Sequence, residues 1–139
     1  MCADSAGAVN GDEGAEMTGN EYQKLAMRTN DGKSKIRLAY AINENVIDVS
    51  GLLMGCLGLA GESGELLDLI KKMIFHGKGI DEEHAKKELG DVMWYIAMIA
   101  HSFGWSLDEI FQMNVDKLKA RYPKGFDTEL SNHRAEGDV

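Results

Sequence analysis

The chain has 139 residues, 44% of them hydrophobic, which predicts one domain with a core of its own. Its 23 acidic and 15 basic residues give a formal net charge of −8, which argues against broad electrostatic binding to nucleic acid. Its two cysteines, Cys2 and Cys56, exclude a disulfide framework and a zinc site of the usual cysteine spacing. We expect Cys56 to be packed inside the fold. We expect the protein itself to occupy a reducing, intracellular compartment.

No membrane or export signal is predicted. The N-terminus lacks the basic and apolar regions of a secretory signal. The longest nearly apolar run, Val49 to Gly61, has 13 residues, whereas a helix needs ~20 to cross a bilayer. We therefore expect a soluble, cytoplasmic protein that binds neither membranes nor nucleic acid.

The first third of the chain predicts a tail and two helices. Residues 1–18 are rich in Gly, Ala, Asp and Glu, which is typical of a disordered acidic tail. Asn20 is placed to cap a short first helix, and the Asn-Asp-Gly content of residues 30–34 predicts a loop. A second helix is predicted from about Ile36.

Two long helices follow. The Ser-Gly pair at 50–51 predicts a break before a helix that ends near Phe75. Asp81 is a good N-cap for a helix over residues 82–103, and Gly104 is expected to end it.

The last predicted helix begins at the sequence Ser-Leu-Asp-Glu of residues 106–109, which matches a capping box. It ends at about Tyr122, before Pro123, and the rest of the chain is expected to be loop and tail. We therefore predict a folded domain over residues 19–130 and a C-terminal tail over 131–139.

No segment alternates with the period of a strand, so the chain is predicted to be all-α, an antiparallel bundle of four to five helices. Residues 89–100 are apolar nearly all round, and such a helix should be largely buried. One small monomer cannot easily bury it. We therefore expect homo-oligomerisation to complete the bundle.

An acidic residue interrupts the apolar stripe of the first long helix. On a helical wheel Glu62 falls among the leucines, and Glu65 lies at the flank of that stripe. Gly61 and Gly64 fall on the opposite half of the wheel, where we expect them to allow a close helix contact, either within the chain or with another subunit. Asp68 is expected to be a solvated surface charge. A carboxylate that faces a core needs a cation or another polar partner, and an ordinary salt bridge is the simplest one.

A second acidic pair, Glu88 and Asp91, lies at the same spacing on the next long helix. If the two helices face each other, four carboxylates meet at one point and repel one another unless cations lie among them. Oxygen ligands alone select hard ions such as Mg²⁺ or Mn²⁺.

The last helix carries Asn114, Lys117 and Arg121 on one face. Beside a metal cluster, such a stripe suits a polyphosphate. Taken alone, the stripe also fits a solvated basic helix end that complements the helix dipole.

The run "GLAGESGELLDLIKK", a spacer, "ELGDVMWYIA" and then "NVDKLKARYP" resemble the MazG-like all-α nucleoside triphosphate pyrophosphohydrolases. The signature of that family, E-x-x-E followed by E-x-x-D, corresponds to Glu62, Glu65, Glu88 and Asp91. "NEYQKLAMRT" and "RYPKGF" also resemble small members of the family, whereas the stretch over residues 31–51 looks longer than usual.

The resemblance implies hydrolysis of a nucleoside triphosphate to a monophosphate and pyrophosphate by a homodimer or homotetramer. It implies that the four acids bind Mg²⁺, for which Mn²⁺ can substitute, and that one of the glutamates orients or deprotonates water. The residues expected to contact substrate are Lys72, Asn114, Lys117 and Arg121 at the phosphates and Tyr95 at the sugar or base. Trp94 is assigned to core packing in preference to base stacking.

Three other classes of protein fit the sequence less well. Di-iron bundles use Glu-x-x-His pairs, which this chain lacks, and its histidines are expected at the surface or in loops. The glycine spacing excludes a dinucleotide-binding loop. A helical module that binds nucleotides without hydrolysing them remains the alternative.

Overall fold

The computed structural model describes residues 17–133. Within that range the chain is helical and has no β-strand, so the all-α prediction is confirmed. The helices are α1 (Gly19–Ala26), α2 (Ser34–Glu44), α3 (Val49–His76), α4 (Glu82–Phe103), α5 (Leu107–Arg121) and α6 (Thr128–Asn132), and a 3-10 turn over Met27–Thr29 follows α1.

The start of α1 differs from the prediction. Thr18, and not Asn20, is the N-cap, and it forms a reciprocal capping box with Glu21. The Thr18 hydroxyl accepts from the Glu21 backbone N–H at 3.2 Å, while the Thr18 backbone N–H donates to the Glu21 carboxylate at 2.8 Å. Residues 1–16 of the predicted tail, which spans residues 1–18, lie outside the described residues.

The predicted break at residues 50–51 was wrong. Asp48 is the N-cap of α3, and its carboxylate accepts from the Gly51 backbone N–H at 2.9 Å. Ser50 and Gly51 therefore belong to the first turn of α3. Asp48 caps the helix before the predicted break, so α3 begins earlier than expected.

The ends of the two long helices agree with the sequence. Gly77 ends α3 and Gly104 ends α4, each with a positive φ that suits glycine. Asp81 caps α4, and its side chain accepts from the His84 backbone N–H at 3.0 Å.

The chain after α4 departs from the prediction in two ways. Ser106 is the N-cap residue of α5, but its side chain makes no cap hydrogen bond, so the predicted capping box does not form. The region predicted as loop contains α6, which Asp127 caps through a 3.0 Å bond from the Leu130 N–H. Residues 134–139 of the predicted C-terminal tail are not described.

The chain divides into two compact units. In the described part of the first, which ends at Tyr40, α1 packs on the 3-10 turn that follows it. The second begins at Ala41, and its main packing is between α3 and α4.

Helices α3 and α4 form an antiparallel hairpin, and glycines of α3 face α4 along a line that we call the glycine seam. Added Cβ atoms there would overlap atoms of α4. The pairs are Gly51 with Ser102, Gly55 with Ile99 and Gly58 with Tyr95. The Asp48 N–H also donates to the Ser102 carbonyl at 3.1 Å, which joins the start of α3 to the end of α4. The seam therefore fixes the register of the hairpin.

In this single chain α4 is only partly buried. Leu89 and Trp94 are 52% and 55% exposed, and among the described apolar side chains only Ala100 is buried. Trp94 is therefore not a core residue here, although its ring meets Tyr95 edge-on at 4.9 Å. Cys56, which we expected to be packed, is also exposed. A two-helix hairpin has too few neighbours to cover all sides of α4.

No single helix within residues 17–133 combines the length and apolar content for crossing a bilayer. Helices α2 and α3 meet that test only when taken together as a bent pair, by length and composition alone.

Candidate metal centre

Beyond Gly58 the face of α3 that contacts α4 changes from glycine to acid. Glu62 follows Gly58 by four residues and Glu65 follows by three more, so the helical repeat keeps both on that face. Glu88 approaches from α4. One carboxylate oxygen of each lies within 4.8 Å of the others, and we call Glu62, Glu65 and Glu88 the acidic cluster.

The members of the acidic cluster differ in their access to water. Glu65 is exposed, Glu62 is half-buried, and Glu88 is only 7% exposed. Asp91 is exposed and does not belong to the group of oxygens within 4.8 Å, although its charge acts on Glu62. The structure thus brings three of the four predicted acids together and leaves the fourth at their edge.

The electrostatics of the acidic cluster appear in the pKa of Glu62, which is raised above its ordinary value. Loss of water is the largest cause, and repulsion by the neighbouring carboxylates follows. Those neighbours are, in order of effect, Glu65, Asp91 and Glu88, and a hydrogen bond to Glu88 adds to them.

The donor set of the acidic cluster fits a hard divalent cation. It offers only carboxylate oxygens, which Mg²⁺ and Mn²⁺ prefer, and it comes from two helices whose mutual repulsion a cation would relieve.

Sequence reasoning missed the partner of Glu88. His84 lies one turn earlier on α4, and its Nε2 is 2.7 Å from Oε1 of Glu88. The prediction placed the histidines at the surface or in loops. His84 is half-exposed, but it bonds to the most buried acid of the cluster. The spacing of four residues between the two side chains was the available signal.

Asp68, expected to be a solvated surface charge, is partly exposed and has two ion-pair partners on its own helix. Its carboxylate binds the ammonium groups of Lys71 and Lys72, the latter at 2.5 Å. Hydrogen bonds from the two lysines lower the pKa of Asp68 to about 2. Lys72, a predicted phosphate ligand, is therefore held on its own helix by Asp68.

A cavity of about 390 Å³ lies beside the acidic cluster. Its lining residues are Gly61, Gly64, Glu65, Asp68, Leu69, Lys72, His84 and Glu88. Gly61 and Gly64 thus open onto this cavity, and apart from the adjoining residues and backbone of α3, no described atom lies within 4 Å of a Cβ built on either. Their predicted close helix contact is wrong within the chain, because the glycine seam makes that contact instead.

Tyr95 lies one turn beyond Asp91 and packs on Gly58 at the end of the seam nearest the acidic cluster. There it borders a largely apolar cavity of about 430 Å³. The other lining residues are Ile42, Ser50, Leu53, Met54, Leu57 and Gly58. An apolar recess thus lies next to the predicted sugar or base contact.

The polar stripe of α5 lies elsewhere. Asn114 and Lys117 border a third cavity, of about 790 Å³, whose other walls are Trp105, Glu109, Ile110, Phe111 and Met113. Arg121 is half-buried, with its guanidinium 6.0 Å from the ring centre of Tyr122. None of these three residues lines the cavity beside the acidic cluster.

Comparison with known proteins gives this geometry a family. The model of the MazG nucleotide pyrophosphohydrolase domain matches residues 54–126, a range that contains every predicted site residue. The "Gene 37 protein" of Mycobacterium phage L5 is 35% identical over 81 residues, which cover 55% of this chain and 71% of that protein. No solved structure matches. The chain belongs to the MazG nucleotide pyrophosphohydrolase family.

Proposed function

We propose that the protein hydrolyses a nucleoside or deoxynucleoside triphosphate to the monophosphate and pyrophosphate with Mg²⁺. The observation that carries this proposal is the acidic cluster. There, two antiparallel helices of a MazG domain bring three carboxylate oxygens within 4.8 Å of one another. Holding carboxylates this close together is unfavourable without a cation. Binding of a cation and a phosphate group there would offset that repulsion.

In this proposal Glu62, Glu65, Glu88 and Asp91 hold Mg²⁺, and Mn²⁺ can substitute for it. The ion supplies charge neutralisation for the phosphate oxygens. A glutamate of the cluster orients water and takes up its proton, while the bond that joins the α and β phosphates breaks and pyrophosphate leaves. Coupled carboxylates share such a proton, so the role belongs to the cluster as a whole.

The rest of the substrate is assigned by position. Lys72 borders the cavity beside the acidic cluster, and its ammonium would leave Asp68 to bind a phosphate. Tyr95 and its apolar recess suit the sugar or base. We keep Asn114, Lys117 and Arg121 as phosphate ligands, which requires α5 of this copy or of a second copy to approach the cluster.

We further propose that the enzyme is a homodimer or homotetramer that acts in the cytoplasm, where it cleanses the nucleotide pool. The support for assembly is the exposure of large apolar side chains on α3, α4 and α5. Leu67, Trp94 and Met113, for example, are each more than half exposed.

The decisive experiment incubates the purified chain with a panel of common nucleoside and deoxynucleoside triphosphates. Parallel samples contain Mg²⁺ or a chelator, and the products are separated. We expect monophosphate and pyrophosphate from at least one substrate, with Mg²⁺ only. Diphosphate with orthophosphate would contradict the proposal. Nucleotide binding without turnover in a folded sample would favour the non-catalytic module.

A further inference from the structure

The most buried carboxylate of the acidic cluster has a hydrogen-bond partner outside the predicted signature. Glu88 is 7% exposed, and one of its carboxylate oxygens lies within 4.8 Å of oxygens of Glu62 and Glu65, which brings other acids against it. A buried carboxylate that faces other carboxylates needs a donor. His84 is that donor, with 2.7 Å between its Nε2 and Oε1 of Glu88.

The lysine beside this cavity has a different partner. Lys72 borders the same cavity, but its ammonium lies 2.5 Å from Asp68. Lys71 also binds Asp68. The two lysines thus bind Asp68, and His84 binds Glu88.

From this division of partners we infer that His84 is a positioning residue that holds the Glu88 carboxylate in the orientation required for divalent-cation binding. The inference rests on the proposed function, because the cation is the one expected in the acidic cluster. Both the neutral Nε2–H tautomer and the imidazolium donate to Oε1, so the role requires the N–H and not a charge. Partners of this kind, which bind a metal ligand through its remaining atom, typically raise metal affinity 10–100-fold.

The position of His84 makes a purely structural role a poor alternative. It lies in the first turn of α4, where a positive charge is unfavourable to the helix dipole, and its side chain is 50% exposed. The cap of α4 uses the His84 backbone N–H, which a side-chain substitution leaves in place. Replacement by alanine should therefore leave α4 folded.

The test measures Mn²⁺ binding to the full-length, metal-free protein by calorimetry, without nucleotide. We expect His84→Ala to weaken Mn²⁺ binding at least ~10-fold. His84→Gln, whose amide can donate to the same oxygen, should recover most of the affinity. With nucleotide present, His84→Ala should need a higher metal concentration for half-maximal activity. Its kcat at saturating metal should fall by a smaller factor.

His133→Ala is the matched control. His133 also lies four residues from a glutamate, with its Nε2 3.5 Å from Glu129, but both side chains are about 80% exposed and far in sequence from the cluster. This variant should bind Mn²⁺ as the wild type does.

The outcomes separate the two proposals. Wild-type affinity in a folded His84→Ala variant would overturn the positioning role and leave the proposed function standing. An equal loss in His84→Ala and His84→Gln would also overturn the role of the N–H donor. Absence of Mn²⁺ binding by the wild type would contradict the metal site itself, and the role of His84 with it.

Discussion

At the scale of single residues, Glu62 is the point where fold and proposed chemistry conflict. It follows three glycines that pack closely on α4, yet its own carboxylate meets other acids there. Its raised pKa means that the folded chain holds this proton more tightly than the unfolded chain does. Ionisation of Glu62 therefore destabilises the folded, metal-free protein as the pH rises above 4.5, the ordinary pKa of a glutamate side chain.

Glu62→Gln tests this conflict. We expect turnover to fall by about 100-fold or more, because a ligand and a proton acceptor are lost together. The metal-free variant should melt at the same temperature as the wild type or higher at neutral pH, because a repulsive charge is removed. Activity assays and thermal melts of the metal-free protein measure the two effects.

Glu83→Gln is the control for that substitution, because Glu83 is exposed on α4 and pairs with Lys87 at 2.9 Å. It should change neither activity nor melting appreciably. Full activity in Glu62→Gln would mean that the acidic cluster is not the reaction centre.

Asp68 predicts a pH dependence of the opposite sign. Its pKa is lowered to about 2 from 3.8 by Lys71 and Lys72, so its stabilising effect is complete above pH ~4 and is lost as the pH falls toward 2. Asp68→Asn should therefore melt below the wild type at pH 7, and the gap should narrow through that acidic range. Thermal melts between pH 3 and 7 measure the gap, and a gap that is constant with pH would contradict the assignment.

At the scale of the elements, the two ends of the α3–α4 hairpin serve different purposes. At one end three glycines let the helices approach until side chains of α4 touch the α3 backbone. At the other end acidic side chains replace glycine on the same face, and a cavity of about 390 Å³ opens beside them. Close packing at the seam thus sets the position of the carboxylates that follow it.

Two glycine substitutions on α3 should have opposite effects on stability. Gly58→Ala would drive a methyl group into the Tyr95 ring, and we expect it to cost about 1–3 kcal/mol. Gly61→Ala meets open space in the described chain and should stabilise the helix by about 0.5–1 kcal/mol. Urea unfolding of both variants measures the difference. A destabilising Gly61→Ala would show that another copy of the chain packs against that side of α3.

At the scale of the whole molecule, the described chain buries very little apolar surface. Ala100 is its only buried apolar side chain, and none of its larger side chains is fully buried. Large apolar side chains on α3, α4 and α5 remain exposed, among them Leu67, Trp94 and Met113. Exposed apolar surface of this extent favours association with a partner.

We therefore expect a dimer or tetramer at micromolar concentration. Because unfolding is then coupled to dissociation, the melting temperature should rise with protein concentration. Analytical ultracentrifugation and melts over a 100-fold range of concentration test this. A monomer with a melting temperature independent of concentration would contradict it.

The sequence by itself determined the helical class, the C-terminal ends of α3 and α4, the start of α4, and the four acids of which three form the cluster. These features depend on local rules, namely helical spacing, an Asp cap and a Gly stop, which the residues express without distant partners. The cap of α1 at Thr18 and helix α6 also depend on local sequence. The prediction missed both, because it placed the cap at Asn20 and a loop in the C-terminal region.

Only the tertiary structure decided how closely α3 and α4 approach each other. The leucine stripe and the glycine seam share one face of α3, and the closest contacts are made at the seam, because only glycine permits so close an approach. That approach puts Glu62 and Glu65 opposite Glu88 and leaves Gly61 and Gly64 at the cavity. It also brings His84 into the site, because its role depends on how deeply the register of the two helices buries Glu88.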